Sequence, residues 1–186
     1  MNQFTGVNII NTYSKLIYKN LKLSDPELLV TIQGWTFFLG SLVTPFLINR
    51  LGRKSLMSIG IFNISFSHLL NLFGQVFEIG GIVLFSMNFY LFMFTISLGG
   101  VLIVYQVEIL SSKLVPLATI TRFFGLVFIS YFTVPLIDGV GFFAVESGVF
   151  FISLFGWFMF EGYAVESQGK TKLEIENDFL KAGFFK

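Results

Sequence analysis

Basic side chains surround a single glycine in the stretch NRLGRKSL, residues 49–56, which lies between two very apolar segments. Arg50, Arg53 and Lys54 could bind a phosphate or pair with carboxylates. The run GRKS lacks the first glycine spacing of a phosphate-binding loop, so it does not predict a nucleotide site. A tight turn between two membrane helices would by itself explain the three cations, because charge is excluded from the hydrocarbon core.

Other groups that could do chemistry lie in apolar surroundings. His68, the only histidine, lies within SFSHLL; it could relay protons or form a hydrogen bond between helices. No cluster of His, Asp and Glu has metal-ligand spacing, and no nucleophile lies beside a base. We therefore predict that the protein is not an enzyme and holds neither a metal nor a cofactor.

A polar stripe follows the first apolar segment at three- and four-residue steps, at Asn8, Asn11, Lys15, Lys19 and Lys22. On a helix these side chains share one face, where they could line an aqueous path. Alternatively, the lysines extend to the membrane surface and the asparagines bond to neighbouring helices.

Composition places these residues in a membrane protein. Of the 186 residues, 54% are hydrophobic and 12% are charged, against about 25% charged in soluble domains. Several apolar runs reach the ~20 residues that span a ~30 Å hydrocarbon core as a helix. The net charge of +1 gives no electrostatic basis for nucleic-acid binding, and the chain has no cysteine, which excludes disulfides and thiolate metal sites.

The sequence predicts an all-α, polytopic protein with six transmembrane helices, over about 4–22, 27–49, 54–74, 80–110, 114–137 and 146–165. The second begins at SDPE, where Ser24 and Glu27 can form a capping box, and Pro45 is expected to kink it. Gly99 and Gly100 form a flexible point in the fourth. Residues 1–165 are expected to form one bundle and 166–186 a charged tail.

Loop charges predict the orientation. The loops after the second and fourth predicted helices and the tail carry basic residues: Arg50, Arg53, Lys54, Lys113, Lys170 and Lys172. The loops after the first, third and fifth helices, on the other side of the membrane, carry acidic residues: Asp25, Glu27, Glu78, Asp138 and Glu146. Lys22 is the exception. Because positive charge favours the inner side of a membrane, both termini are expected to face the cytosol, or the matrix of a mitochondrion.

Four motifs, in register along the chain, resemble those of the sugar porters in the major facilitator superfamily. NRLGRK resembles the D/E-R-x-G-R-R/K loop between their eighth and ninth helices, and NQFTGVNIINTYS (2–14) resembles their seventh helix. GGVLIVYQVEILSSKLVP (99–116) is similar to the end of the tenth helix, and VESQGKTKLEIE (165–176) to the tail after the twelfth. The chain thus resembles the C-terminal six-helix half of a sugar porter.

The resemblance implies roles for particular residues. In that family the loop arginines contact acids at neighbouring helix ends, which here implies a charge network of Arg50, Arg53, Glu108 and Glu166. Gln3 and Asn8 occupy positions that imply solute contacts, either retained or inherited and idle.

Several positions of the family's sugar site are apolar in this chain. Phe37 replaces an asparagine, Leu102 and Ile103 replace a proline and a tryptophan, and an Asn-Trp pair is replaced by Leu126 and Val127. Each buried hydroxyl left unpaired costs about 1–3 kcal/mol, so two or three lost partners predict about 10²–10⁵-fold weaker sugar binding.

Two functions of different classes follow. The first is a half-porter that has lost transport and serves as an accessory subunit of a larger complex, for which the mitochondrial inner membrane would be a host. Other membrane subunits would then pack on the former cavity face near Phe37, Ile103 and Leu126. The second is a half-size facilitator of a sugar or similar solute, which works as a dimer or with a separate N-terminal half.

Overall fold

The computed structural model describes residues 2–20 and 25–181, apart from the side chains of Leu16 and Asn20. Every element in these ranges is a helix, which confirms the all-α prediction. In chain order they are a 3₁₀ helix (Asn2–Thr5), α1 (Val7–Asn20), α2 (Pro26–Leu51), α3 (Arg53–Val76), α4 (Gly80–Phe94), a π-helical segment (Thr95–Gly99), α5 (Val101–Ile109), α6 (Leu114–Val140), α7 (Phe142–Tyr163) and α8 (Lys172–Lys181).

Within the described ranges, 5 helices are long and apolar enough to cross a membrane. They are α2, α3, α6, α7 and the 30-residue run Gly80–Ile109, which contains α4, the π segment and α5. The first predicted span corresponds to α1, whose 14 residues reach about 21 Å at ~1.5 Å per residue. Lys22 and the capping residue Ser24 lie outside the described residues.

Helix α3 occupies the centre of the bundle, where it packs most extensively against α4 and α7. The fully buried apolar side chains come mainly from α1, α3 and α4, and include Ile10, Tyr18, Ile61, Ile64, Met87 and Leu91. In contrast, α2, α6 and α7 expose large apolar side chains such as Phe46, Phe124 and Phe155. Such an exposed apolar belt suits lipid rather than water.

Close helix contacts in the core depend on small residues. A Cβ atom added to Gly60 of α3 would overlap the Ser97 side chain in the π segment. Glycine at this position therefore lets the two backbones approach more closely than any other residue would, as is common where membrane helices pack.

The π segment lies next to the glycine pair at which the sequence predicts a flexible point. Regular α-helix ends at Phe94, and Gly100 separates the π segment from α5. Irregular backbone at membrane depth is tolerated where other groups satisfy it or where it lines a cavity. Here Asn2 Nδ2 donates to the Leu98 carbonyl over 3.0 Å, and Thr44 Oγ1 donates to the Thr95 carbonyl over 3.3 Å.

The tail contains a helix that the sequence interpretation missed. Helix α8 begins after Thr171, whose backbone N–H and hydroxyl both donate to Glu174 Oε2, at 2.7 and 2.8 Å. The letters TKLE at 171–174 fit the capping-box pattern. That pattern could have predicted the helix.

Candidate functional site

An open cavity of about 540 Å³ lies where the 3₁₀ helix, α1, α2, the π segment and α6 meet. Its polar lining residues are Asn2, Gln3, Asn8, Asn11, Ser41, Thr44, Thr95 and Arg122. A second cavity of about 350 Å³ shares Asn2, Gln3 and Arg122 with it, and adds Gln106 and Thr121. No aspartate or glutamate among the described residues lines either cavity.

The two predicted solute contacts lie together in this cavity. Asn8 Nδ2 donates to Gln3 Oε1 over 2.8 Å, which fixes the orientation of both amides. Within the described part of the chain, no hydrogen bond uses the Gln3 amide nitrogen or the Asn8 side-chain oxygen. The NH₂ group of Gln3 and the side-chain oxygen of Asn8 therefore remain for a bound molecule.

Hydroxyl groups line the side of the cavity formed by α2 and the π segment. Ser41 Oγ donates to the Phe37 carbonyl at 3.0 Å, and Thr95 Oγ1 to the Leu91 carbonyl at 2.7 Å. Because each proton is given to the helix backbone, the oxygens offer lone pairs as acceptors. Sequence analysis missed these residues, although Ser41 and Thr44 share one helix face by their spacing.

The polar stripe of the first helix divides between two environments. Asn8 and Asn11 line the cavity, as expected for an aqueous path. Lys15 is exposed and pairs with Glu27 over 2.8 Å, as expected for a lysine at the membrane surface.

The predicted apolar positions account for only part of the cavity wall. Phe37 and Leu126 line the larger cavity, and Leu102 lines the smaller one. Ile103 and Val127 are exposed and line neither. The expectation of an apolar cavity face is therefore corrected: amides, hydroxyls and a guanidinium share that face with the apolar replacements.

Arg122 is a cavity residue that sequence analysis did not single out. It lies within the apolar helix α6 and lines both cavities. Its guanidinium carbon lies 5.5 Å from the centre of the Phe123 ring, within the range of a cation–π contact. A charged residue inside an apolar span marks a functional site by default, and that signal was available in the sequence.

A second polar cluster closes one end of the bundle, where α2 and α5 end and α3 begins. We call this the charged end. Arg53 Nε and Nη2 donate to both oxygens of Glu108, over 2.9 to 3.1 Å, and Ser167 Oγ donates to Glu108 Oε2 over 2.6 Å. Such a forked arginine–carboxylate pair fixes the relative position of the two helix ends.

Glu166 caps helix α3 from the far end of the chain. Its two carboxylate oxygens accept the backbone N–H groups of Arg53 and Lys54, at 2.9 and 3.0 Å, which are otherwise unpaired at a helix start. A Cβ on Gly52, whose φ is +83°, would come within 2.5 Å of this carboxylate. The glycine in the charged loop thus makes room for the cap.

The same contacts set the charge state of Glu166. Partial burial by itself would raise the pKa of its carboxyl, but backbone N–H donors, those of Gln168 and Arg53 first, lower it more. The net pKa lies below the usual value, so the carboxylate is the stable form.

Arg50 differs from the other implied network members: it is exposed, and no ion pair within residues 2–20 and 25–181 includes it.

A third cluster is buried in the interior of the bundle. His68 Nδ1 lies 2.8 Å from Glu146 Oε1, and His68 Nε2 lies 2.9 Å from the Thr5 carbonyl. Both side chains are 1% exposed. The loop-charge analysis expected Glu146 to lie in a loop, and this expectation is wrong. Glu146 lies within α7, which already begins at Phe142.

The hydrogen bonds fix how many protons this pair holds. The Thr5 carbonyl only accepts, so Nε2 carries a proton. One further proton must lie between Nδ1 and Glu146, on one atom or the other, to make the 2.8 Å contact a hydrogen bond. The Thr5 hydroxyl, which donates to the Asn2 carbonyl over 2.7 Å, connects this pair to the segment that carries the cavity residues Asn2 and Gln3.

Comparison with known proteins agrees with this architecture. A family model described as "Sugar (and other) transporter" matches residues 1–179. A glucose transport protein of Synechocystis is 27% identical over 92% of this chain, which spans 40% of that relative.

Solved structures show the same fold. A double tryptophan mutant of XylE superimposes with a TM-score of 0.84 and 23% identity, over 96% of this chain and 40% of that one. A D-xylose–proton symporter gives a TM-score of 0.79 and 22% identity, over 91% of this chain and 42% of that one. The inward-open xylose transporter XylE from E. coli gives a TM-score of 0.76 and 23% identity, over 95% of this chain and 38% of that one.

The chain therefore spans about two fifths of the length of the relatives it matches. Since the family model covers nearly all of it, this chain belongs to the sugar (and other) transporter family.

Proposed function

We propose that this chain forms one bundle of a carrier for a small polar solute, and that the 540 Å³ cavity is its half of the solute path. The observation that carries the proposal is the polar lining of that cavity, with free hydrogen-bonding groups on Gln3 and Asn8. The volume falls within the range of about 300–1,000 Å³ that is typical of ligand sites.

The cavity chemistry agrees with the relatives' names, which include a glucose transport protein and a D-xylose–proton symporter. Sugars are held by paired donors and acceptors on their hydroxyls, beside an apolar surface for the ring face. Amides, hydroxyls and Phe37 supply both kinds of contact here. We therefore place the solute in the class of sugars and sugar derivatives.

Transport in this class of fold rocks one bundle against another around a site between them. The cavity is open on one side, so a second bundle must complete it, either a second copy or a separate bundle. The charged end would keep α2, α3 and α5 together while the whole bundle rocks, because Arg53 of α3 donates to Glu108 of α5 and to the Ile48 carbonyl of α2.

The test is equilibrium binding and uptake of labelled glucose, xylose and derivatives by the protein reconstituted into liposomes. Replacing Asn8 with Leu removes the Gln3 contact as well as a cavity amide. We expect solute binding to fall about 10–100-fold, since each lost hydrogen bond inside a dry site costs about 1–3 kcal/mol.

Ser147→Ala is the matched control, because Ser147 is partly exposed on α7 and its hydroxyl bonds to its own helix at the Phe143 carbonyl. It should leave binding unchanged. Absence of binding by every solute, together with co-purification in a large stable complex, would contradict the carrier proposal. That outcome would support the accessory-subunit alternative, in which other membrane proteins cover the face near Phe37 and Leu126.

A further inference from the structure

Arg122 is the cation of the cavity, and the described residues leave its charge uncompensated. It lies eight residues after Leu114, the start of α6, or about 12 Å along the helix axis at ~1.5 Å per residue. Charged groups at such depth normally pair with an opposite charge. The ion pairs among residues 2–20 and 25–181 involve other cations: Lys15, Arg53, His68, Lys170 and Lys181.

The acids that could neutralise Arg122 are committed elsewhere or are absent from the cavities. Glu108 is held by Arg53, and Glu146 by His68. The lining residues of both cavities include no carboxylate within the described ranges. The cation–π contact with Phe123 leaves the N–H groups of the guanidinium available, because it uses the ring face and no hydrogen-bond acceptor.

Two amide side chains near Arg122 can add hydrogen-bond donors to the guanidinium. Gln3 uses its oxygen to accept from Asn8, so its NH₂ group remains free. Gln106 lines the smaller cavity with Arg122 and adds a second amide. The guanidinium presents up to five N–H donors in a planar fork that fits a carboxylate or a phosphate.

We propose that the solute of this cavity is an anionic sugar derivative, a sugar acid or a sugar phosphate, whose charged group binds Arg122 while its hydroxyls contact the amides and hydroxyls of the larger cavity. This inference rests on the proposed carrier function and names its substrate class. A neutral sugar would leave the arginine unpaired inside the membrane, whereas an anion neutralises it and makes charge-assisted hydrogen bonds.

The experiment compares binding of labelled gluconate, glucose 6-phosphate and glucose to the protein in liposomes. We expect one of the two anions to bind at least about 10-fold more tightly than glucose, since hydrogen bonds to charged groups are stronger than neutral ones. Gluconate identifies a carboxylate ligand, and glucose 6-phosphate identifies a phosphate ligand.

Arg122→Gln keeps hydrogen-bonding capacity but removes the charge. It should weaken anion binding about 10–100-fold and weaken glucose binding much less, so that the ratio of anion affinity to glucose affinity falls. Arg122→Lys should retain part of the preference for the anion, because the charge remains while the fork is lost. Lys113→Gln, which removes an exposed cation just before α6, is the control for net charge and should change nothing.

Two results would overturn the inference, and they differ from each other. If glucose binds as well as both anions and Arg122→Gln does not alter this ratio, the anion site is wrong while the carrier proposal stands. A carboxylate from the completing bundle would then be the partner of Arg122. If none of the three solutes binds, the carrier proposal is wrong, and this inference, which rests on it, is wrong as well.

Discussion

At the scale of single residues, the buried pair of His68 and Glu146 shows how sequence context can mislead. Glu146 was grouped with loop acids because the sixth helix was predicted to begin only at that residue. In the structure it lies inside α7, 1% exposed, with His68 as its partner. A buried, paired histidine of this kind is more costly to disrupt than an exposed ion pair such as Lys15–Glu27.

Replacing Glu146 with Leu should strongly destabilise the bundle, because His68 Nδ1 would lose its partner in a dry environment. Removing one member of a buried pair costs about 3–5 kcal/mol. Glu146→Gln should cost less, about 1 kcal/mol, since its amide can donate to Nδ1. Thermal unfolding of the purified variants in detergent measures the difference. Equal melting temperatures for the two variants would show that the pair contributes little.

Glu166 gives a pH prediction. Its pKa is lowered in the folded protein, so its stabilising effect is complete at neutral pH and is lost as pH falls through the folded-state pKa. Wild type should therefore exceed Glu166→Gln in melting temperature at neutral pH, and the gap should narrow with acidification. A gap that widens toward acid would contradict the assignment. Glu176→Gln, at an exposed position on α8, is the control, and its melting temperature should follow that of wild type at every pH.

At the scale of elements, the break between α4 and α5 connects the fold to the cavity. The π segment replaces one regular turn, lines the larger cavity through Thr95 and Gly99, and packs on α3 at Gly60. π-Helical turns inside α-helices are frequently found at functional sites. The shape of the cavity thus depends on a helix–helix contact that tolerates no added side chain.

Gly60→Ala should destabilise the bundle by about 1–3 kcal/mol, because the new methyl group would overlap Ser97 and force the π segment away. The double variant Gly60→Ala with Ser97→Gly should recover much of the loss, since the two positions interact directly. Gly34→Ala is the control: nothing lies within 4 Å of a Cβ there. Thermal unfolding in detergent measures all of them, and an undiminished loss in the double variant would disprove the contact.

At the scale of the whole molecule, the bundle has one end closed by charged residues and one open face. The charged end connects α2, α3, α5 and the tail: Arg53 donates to the Ile48 carbonyl and to Glu108, and Glu166 caps α3. The open face holds the cavity, while α2, α6 and α7 present apolar side chains outward. This arrangement is compatible with a bundle that moves as one rigid unit, with its apolar surface in contact with lipid and its open face against a second bundle.

The orientation of this body in the membrane remains a prediction from loop charges, and the absence of cysteine makes it easy to test. Lys113→Cys and Asp138→Cys place single thiols near opposite ends of α6. In intact cells, an impermeant maleimide should label Asp138→Cys and not Lys113→Cys, because positive charge favours the inner side. Labelling of Lys113→Cys and not of Asp138→Cys would show that the orientation is opposite to the one predicted. Permeabilised cells, in which both thiols should react, are the control.

The sequence by itself determined the class of fold and the family resemblance, and that resemblance implied a charge network at the charged end. Apolar runs of membrane length leave few alternatives to helices, and motifs such as NRLGRK keep their spacing along the chain. Arg53, Glu108 and the carboxylate of Glu166 accordingly lie together, whereas Arg50, implied by the same resemblance, stands apart.

Only the tertiary structure decided which residues form the cavity and which are sealed in the core. Position-by-position comparison predicted an apolar face from Phe37, Ile103 and Leu126, but Arg122, Ser41 and Thr95 make that face polar. His68 and Glu146 are 78 residues apart and show no pattern that joins them. The physical reason is that helical periodicity fixes which residues share a face of one helix. How the helices are rotated and spaced against each other depends on contacts between distant residues, such as Gly60 with Ser97, and these contacts determine what each face meets.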